Sequence, residues 1–175
     1  MTNKMFFSGT GGQGIMLMGQ LVSSAAIHEN KETTFFPSYG PEMRGGTANC
    51  TVIVSDKPIS SPLISESDCV IAMNLPSMLK FEPTLKPGGT MLINESLVHQ
   101  EAKRSDITVY KIPASDLALE LGEPRVANII MLGAFVRTTD IVSSEELEKV
   151  IHDTFGARSK ELAELNLKAF HLWNM

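Results

Sequence analysis

The sequence contains little cysteine, and this scarcity excludes several kinds of metal site. Cys50 and Cys69 are the only cysteines among 175 residues, and each lies within an apolar, strand-like run. Two thiols cannot by themselves hold a four-cysteine iron–sulfur cluster or a structural zinc ion. The four histidines lie far apart and lack the spacing of metal ligands. We therefore predict two buried, reduced thiols, with a redox pair as the alternative.

The sequence also lacks long hydrophobic runs and an excess of positive charge. Its 15 basic and 20 acidic residues give a formal net charge of −5, which argues against a broad nucleic-acid-binding face. Polar residues interrupt the richest apolar stretch, Gly14 to His28, so no segment approaches the ~18 residues that span a bilayer. The N-terminus has no signal-peptide pattern. These features predict a soluble, cytoplasmic chain that forms a single domain over residues 1–175.

The alternation of strand and helix patterns predicts an α/β fold: a Rossmann-like, mainly parallel sheet flanked by helices, with further helices at the C-terminus. Short apolar runs indicate strands at 4–8, 33–36, 47–55, 68–73, 90–93 and 107–110. Apolar residues at three- and four-residue steps indicate a helix at 12–28. Further helices are predicted in a short stretch that ends near Pro83 and at 114–121, 128–137, 143–155 and 160–173. The first strand, first helix and second strand form a βαβ unit, for which a right-handed crossover is expected.

Three local patterns refine this outline. The segment Lys86-Pro87-Gly88-Gly89 predicts a turn before the fifth strand. Ser143 to Glu146 predicts a capping box, in which Ser143 caps the helix and the Glu146 side chain returns to the Ser143 amide. The last helix carries a row of apolar residues, which favours core packing, with a partner-binding surface as the alternative. This row consists of Leu162, Leu165, Ala169, Leu172 and Trp173.

The first chemical motif is Gly9-Thr10-Gly11-Gly12-Gln13-Gly14, which follows a strand and opens a helix. Its glycines allow a tight turn and close approach of a ligand, and a helix N-terminus attracts anions. A dinucleotide site also requires an acidic residue at the end of the second strand, but that strand ends in Phe36-Pro37-Ser38 and Glu32 precedes it. The pattern therefore favours a phosphate-bearing ligand or cofactor edge, with NAD or FAD and a purely structural turn as alternatives.

The second motif is the loop Ser38-Tyr39-Gly40-Pro41-Glu42-Met43-Arg44-Gly45-Gly46. Arg44 can clamp a phosphate or carboxylate with two parallel hydrogen bonds. Glu42 can orient Arg44 or accept from a partner, and Tyr39 can stack on a ligand. The alternative is a solvated loop with a weak local Glu42–Arg44 ion pair. No complete catalytic constellation accompanies these motifs, which indicates a subunit of a larger enzyme.

Together with several further segments, the two motifs resemble one family over nearly the whole chain. The further segments are Pro87-Gly88-Gly89, Ile112-Pro113-Ala114, Arg125-Val126-Ala127-Asn128-Ile129-Ile130-Met131-Leu132-Gly133 and Asn166-Leu167-Lys168-Ala169-Phe170. The chain resembles the gamma subunit of 2-oxoacid:ferredoxin oxidoreductases, most closely the 2-oxoglutarate type. It departs from the related indolepyruvate enzyme, whose second loop reads His-Gly-Met-x-Gln-Arg-Gly-Gly.

The resemblance implies an enzyme of several chains that converts a 2-oxoacid and coenzyme A to an acyl-CoA, carbon dioxide and reduced ferredoxin. It implies that this chain binds no cofactor alone. Thiamine diphosphate and iron–sulfur clusters would belong to alpha and beta subunits and a ferredoxin-like delta subunit or domain, and a contact with coenzyme A would remain possible for this chain. The whole of residues 1–175 would form one gamma-type domain.

We expect the two loops to meet at the carboxyl ends of neighbouring strands, where α/β sheets bind ligands. The candidate cofactor-binding residues are Gly9, Gly11, Gly12, Gln13, Gly14, Tyr39, Gly40, Pro41, Glu42, Arg44, Gly45, Gly46 and Asn128. No catalytic residue and no metal ligand is predicted. The alternatives are a free-standing phosphate- or nucleotide-binding module of Rossmann-like fold and a scaffold whose glycine loop contacts only protein.

Overall fold

The computed structural model describes residues 1–39 and 46–174, which form a six-stranded sheet covered by helices. The strands are β1 (Thr2–Thr10), β2 (Glu32–Tyr39), β3 (Thr47–Ser55), β4 (Ser67–Ala72), β5 (Leu85–Asn94) and β6 (Thr108–Ile112). The helices are α1 (Ile15–His28), α2 (Leu75–Phe81), α3 (Ala114–Glu120), α4 (Ala127–Thr138), α5 (Ser144–Gly156) and α6 (Lys160–Phe170). Short 3₁₀ turns occupy Glu82–Thr84 and Pro124–Val126.

The strand order is β2-β3-β1-β4-β5-β6, and five of the six strands run in the same direction. The predicted α/β fold with a mainly parallel sheet is therefore confirmed. The expectation that the two loops follow neighbouring strands is wrong, because β3 lies between β1 and β2 and pairs antiparallel with both. The connection from β2 to β3 is short, and a short connection allows only an antiparallel return.

Apolar residues cover both faces of the sheet, as β1 illustrates. Met5 and Phe7 belong to a large core with α1, α4 and α6, whereas Phe6 belongs to a smaller core with α2. This alternation follows from the two-residue period of a strand. Within the large core, α4 is central, since its residues 127–135 are all buried. Of the predicted apolar row on the last helix, Ala169 is buried in this core, and Leu165, Leu172 and Trp173 are partly buried against it. Leu162 lies outside the core, so core packing is confirmed for the row without this residue.

Two local predictions need correction because tertiary contacts replace the expected local ones. Residues 86–89 form an irregular stretch inside β5 rather than a turn before it, and the Gly88 amide donates to the carbonyl of Asp106 at 2.7 Å. Ser143 does cap α5, since its hydroxyl accepts from the Glu146 amide at 3.2 Å. The Ser143 amide, however, donates to the Glu29 carboxylate at 2.6 Å, so Glu146 does not complete the capping box.

Both thiols are buried and free, as predicted. Burial raises the pKa of Cys50 to about 12 and also raises the pKa of Cys69, with a smaller contribution from the Asp68 charge. Because the thiolate is the reactive form, we expect neither thiol in the native chain to react with iodoacetamide at pH 8. Both should react at once in guanidinium chloride, as mass spectrometry would measure. Rapid native labelling of either residue would contradict the buried arrangement.

Candidate functional site

The glycine loop between β1 and α1 is a tight turn held by its own residues. Gly12 and Gly14 both have left-handed backbone conformations, with φ of +96° and +73°, which side chains strongly disfavour. Gln13 accepts through its side-chain oxygen from the Thr10 amide at 2.7 Å, and its own amide donates to the Thr10 carbonyl at 3.2 Å. The Gln13 side chain therefore stabilises the conformation of the loop through a hydrogen bond within it.

The start of α1 has no side-chain cap and no acidic residue in its first turn. The first amides of a helix have no intrahelical partner, and together with the helix dipole they favour an anion. Gly12 adds open space, because an alanine methyl at this position would meet no other atom of residues 1–39 and 46–174 within 4 Å. The start of α1 therefore carries backbone donors that have neither an intrahelical partner nor a side-chain cap.

Gly9 and Gly11 have structural roles in the same loop. A methyl group on Gly9 would collide with Gln13 and Ile15, so this glycine permits the turn to fold over the end of β1. The Gly11 amide donates to the carbonyl of Gly46 at 3.0 Å. The end of the second motif therefore lies beside the first, although β3 separates their parent strands.

The remaining residues of the second motif cannot be placed. Gly40, Pro41, Glu42, Arg44 and Gly45 lie outside the described residues, and of Tyr39 only the backbone at the end of β2 is described. The predicted meeting of Arg44 with the glycine loop therefore stays a prediction.

Asn128, at the start of α4, lies directly against the glycine loop. It is 3% exposed, and its side-chain nitrogen donates to the Gly14 carbonyl at 3.4 Å. A methyl group on Gly14 would overlap this side-chain amide. The structure thus brings Asn128 together with the glycine loop, and the contact shows that Asn128 supports Gly14.

A cavity of about 310 Å³, called here the α1–α6 groove, opens beside this contact. Gly12, Gly14 and Leu17 line it at the α1 end. Phe155 and Leu162 line it at the α5–α6 end. The groove therefore joins the uncapped start of α1 to apolar side chains of the kind that contact organic ligands.

Two arginines lie at this groove, and they differ in their partners. Arg125 makes a double hydrogen bond to Glu123, with Nε–Oε1 and Nη2–Oε2 distances of 2.8 Å each. These hydrogen bonds from Arg125 lower the pKa of Glu123 to about 2, so the pair stays ionised and internally neutral near pH 7. Arg158 is exposed, and its side chain makes no ion pair within residues 1–39 and 46–174.

Asn166 of α6 is the second buried amide at the groove. It is 2% exposed, yet it contributes to the lining. Its side-chain nitrogen donates to the Leu162 carbonyl at 2.8 Å. Its side-chain oxygen accepts no hydrogen bond from the part of the chain that the structure describes. Because Asn166 belongs to the lining, an amide oxygen at this position can accept a hydrogen bond from a ligand in the groove.

Sequence reasoning did not identify Arg125, Arg158 and Asn166 as site residues. Arg125 and Asn166 stand within segments that carry the family resemblance, which was the only sequence signal available for them. Arg158 follows α5 in an ordinary polar stretch. Residues so distant in sequence can be assigned to one groove only when the packing of the helices is known.

Other kinds of site find no support in the described ranges. Residues 1–39 and 46–174 contain no cluster of three or more His, Cys, Asp or Glu side chains placed to hold a metal ion. In the same ranges, no helix has both the length and the apolar character needed to cross a membrane.

The comparisons with known proteins agree on one family. The family model described as pyruvate ferredoxin/flavodoxin oxidoreductase matches residues 4–172. The chain is 41% identical over 173 residues to the 2-oxoglutarate synthase subunit KorC of Methanocaldococcus jannaschii. The aligned region covers 97% of this chain and 91% of that relative.

Solved structures show the same similarity. The gamma subunit of a keto/oxoacid ferredoxin oxidoreductase from Geobacter sulfurreducens matches with a TM-score of 0.81 and 32% identity, over 97% of this chain and 95% of that one. The 2-oxoglutarate:ferredoxin oxidoreductase from Magnetococcus marinus, with 2-oxoglutarate, coenzyme A and succinyl-CoA bound, matches with a TM-score of 0.89 and 26% identity. The match covers 97% of this chain but 30% of that longer chain.

Proposed function

Because this chain belongs to the pyruvate ferredoxin/flavodoxin oxidoreductase family, we propose that it binds the phosphate-bearing part of coenzyme A within a multi-subunit 2-oxoacid:ferredoxin oxidoreductase. The resemblance found in the sequence is confirmed: the chain is an oxidoreductase subunit of the gamma type. A free-standing nucleotide-binding module is not favoured, since the matches to such subunits cover almost the whole chain.

The observation that carries the proposal is the α1–α6 groove, which begins at the uncapped start of α1. Gly12 leaves room for a phosphate group to approach the backbone, and the first-turn amides supply hydrogen-bond donors. Leu17 and Phe155 supply apolar surface in the same groove. Coenzyme A combines phosphate groups with a long, partly apolar arm, and the Magnetococcus relative holds coenzyme A.

In this proposal the chain takes no part in the covalent chemistry. Thiamine diphosphate and iron–sulfur clusters on partner alpha, beta and delta chains supply the decarboxylation and electron transfer. The loop amides bind phosphate oxygens and so position coenzyme A, while Gln13 and Asn128 hold the loop in shape. We propose 2-oxoglutarate as the substrate, because the name of the relative from Methanocaldococcus jannaschii refers to this 2-oxoacid.

Substitution of Gly12 by alanine tests the proposal in the assembled enzyme. The added methyl group would stand where the backbone is open to a ligand, so we expect KM for coenzyme A to rise roughly tenfold. KM for the 2-oxoacid should stay unchanged. Initial rates of acyl-CoA formation at varied coenzyme A concentration would measure the effect.

Gly88→Ala is the matched control. Gly88 has a similar φ of +78°, and a methyl group there would also meet no atom of the described residues within 4 Å. The control therefore imposes the same type of backbone strain inside β5, in a segment that does not line the groove. Equal coenzyme A kinetics for the wild type and Gly12→Ala, or equal changes in both variants, would contradict the proposed function.

A further inference from the structure

We propose that His171 forms a pH-dependent connection between α4, α5 and α6, and that a proton on its ring releases Arg137 of α4. His171 directly follows the last residue of α6. Its side chain lies between Arg137 of α4 and Glu148 of α5. The proposal concerns a conformational property of the chain and does not depend on the proposed function.

The two contacts determine which ring nitrogen of His171 carries the proton. Nδ1 lies 3.3 Å from Nη2 of Arg137, and a guanidinium has donors but no acceptor. Nδ1 therefore accepts this hydrogen bond with its lone pair. Nε2 lies 3.0 Å from Oε1 of Glu148, and an ionised carboxylate only accepts, so Nε2 carries the hydrogen. This arrangement requires a neutral imidazole with its proton on Nε2.

A second proton on the ring is compatible with the contact to Glu148 but not with the contact to Arg137. The proton comes from solvent, since the His171 side chain is 49% exposed, and it binds at Nδ1. An N–H group then faces the N–H groups of Arg137, and one positive charge faces another. The contact with Glu148 becomes an ion pair at the same time. Protonation therefore exchanges one contact for the other, and histidine side chains in general change charge between pH 5 and 8.

Arg137 transmits this exchange to the end of α6. Its Nη1 donates to the carbonyls of Gly133 in α4 and Phe170 in α6, at 2.6 and 3.1 Å. The guanidinium carbon also lies 5.6 Å from the centre of the Phe170 ring. The hydrogen bond from Nη2 to His171 fixes the orientation of the guanidinium plane. When this bond is lost the guanidinium can turn, so the last turn of α6 is attached less firmly to α4.

The charges around the ring make the expected effect local. Further ionisable side chains lie three or four residues along the chain from Arg137, Glu148 and His171. They are Asp140 after α4, Glu145 and His152 in α5, and Lys168 in α6. The direct contacts come from Arg137 and Glu148, whose charges are opposite. A proton on the ring therefore has opposing effects on the free energy of unfolding, and the opening of the last turn of α6 is the better measurement.

Nitrogen-15 NMR and amide hydrogen exchange of the full chain test the proposal. At pH 8 the ring of His171 should carry its proton on Nε2, and at pH 5 both ring nitrogens should carry one. Between these conditions the protection factors of residues 167–170 should fall roughly threefold, as expected for the loss of one exposed hydrogen bond. Protection factors already correct for the intrinsic effect of pH on exchange. A proton on Nδ1 at pH 8, or protection that does not change with pH, would overturn the proposal.

Three variants assign the effect to His171. In His171→Gln an amide oxygen can accept from Arg137 and an amide nitrogen can donate to Glu148 at any pH, so protection of the last turn of α6 should no longer depend on pH. In Glu148→Gln the charged ring loses its anion, so the change should move to lower pH. His152→Gln is the matched control, because it removes a histidine of α5 that pairs with its neighbour Asp153. This control should keep the pH dependence of the wild type.

The same pH dependence in His171→Gln as in the wild type would contradict the assignment to this side chain. Loss of the dependence in His152→Gln would assign it to α5 instead. An unchanged midpoint in Glu148→Gln would show that the carboxylate does not hold the protonated ring, which would also contradict the proposed exchange of contacts.

Discussion

Gly133→Ala is expected to lower the free energy of unfolding by about 3 kcal/mol or to prevent folding. Gly133 lies in the central helix α4, where a methyl group would overlap the main-chain carbonyl of Phe170 in α6. Backbone cannot rotate away as a side chain can, so the two helices would have to separate. Arg137 ties them together by donating through Nη1 to the carbonyls of Gly133, at 2.6 Å, and Phe170, at 3.1 Å.

Gly156→Ala provides the matched control for this prediction. Gly156 ends α5, and a methyl group there would reach Ala163 of α6 at 3.8 Å, an ordinary van der Waals contact. Because alanine favours the helix over glycine by up to about 1 kcal/mol, this variant should be as stable as the wild type or more so. Denaturant unfolding of both variants followed by circular dichroism would measure the difference. A loss below about 1 kcal/mol in Gly133→Ala would contradict the close approach of the helices.

Gly14→Ala is the second large expected effect, and it should damage both stability and coenzyme A kinetics. Two costs add at this position. The left-handed conformation costs an alanine about 1 kcal/mol, and the new methyl group would overlap the buried side-chain amide of Asn128. We expect a total loss of about 2 to 4 kcal/mol in the free energy of unfolding. The displaced loop should also raise KM for coenzyme A more than Gly12→Ala does.

A double-mutant cycle with Asn128→Ala separates the two costs. Removal of the Asn128 amide relieves the overlap but leaves the backbone strain, so the double variant should lose at least about 1 kcal/mol less than the sum of the single losses. Denaturant unfolding of the four proteins measures this coupling. If the two single losses simply add, a methyl group at position 14 does not overlap the Asn128 side chain. That result would contradict the role of Asn128 in supporting the loop.

Most strands and helices were predictable from the sequence because local patterns specify them. The apolar run in β3 predicts its bounds, Thr47–Ser55, and the glycine loop predicts the start of α1 within a few residues. The order of the strands in the sheet could not be predicted from the sequence in the same way. The insertion of β3 between β1 and β2 depends on pairing between strands, which no local pattern encodes.

In the candidate site, too, some features can be predicted from the sequence and others depend on the folded structure. The glycine loop is visible in the sequence, since a left-handed turn before a helix requires glycine at defined positions such as Gly12 and Gly14. The role of Gln13 inside the loop is not visible, because a polar side chain beside a phosphate motif suits a ligand contact equally well. Only the folded loop shows that its oxygen accepts from the Thr10 amide.

The sequence by itself determined the family, the α/β class and the anion-attracting start of α1, because each depends on residue types at short, fixed spacings. The tertiary structure alone decided which distant side chains share the α1–α6 groove. Arg158 and Asn166 lie more than a hundred residues beyond Gly12 in the chain, and helix packing brings all three to one cavity.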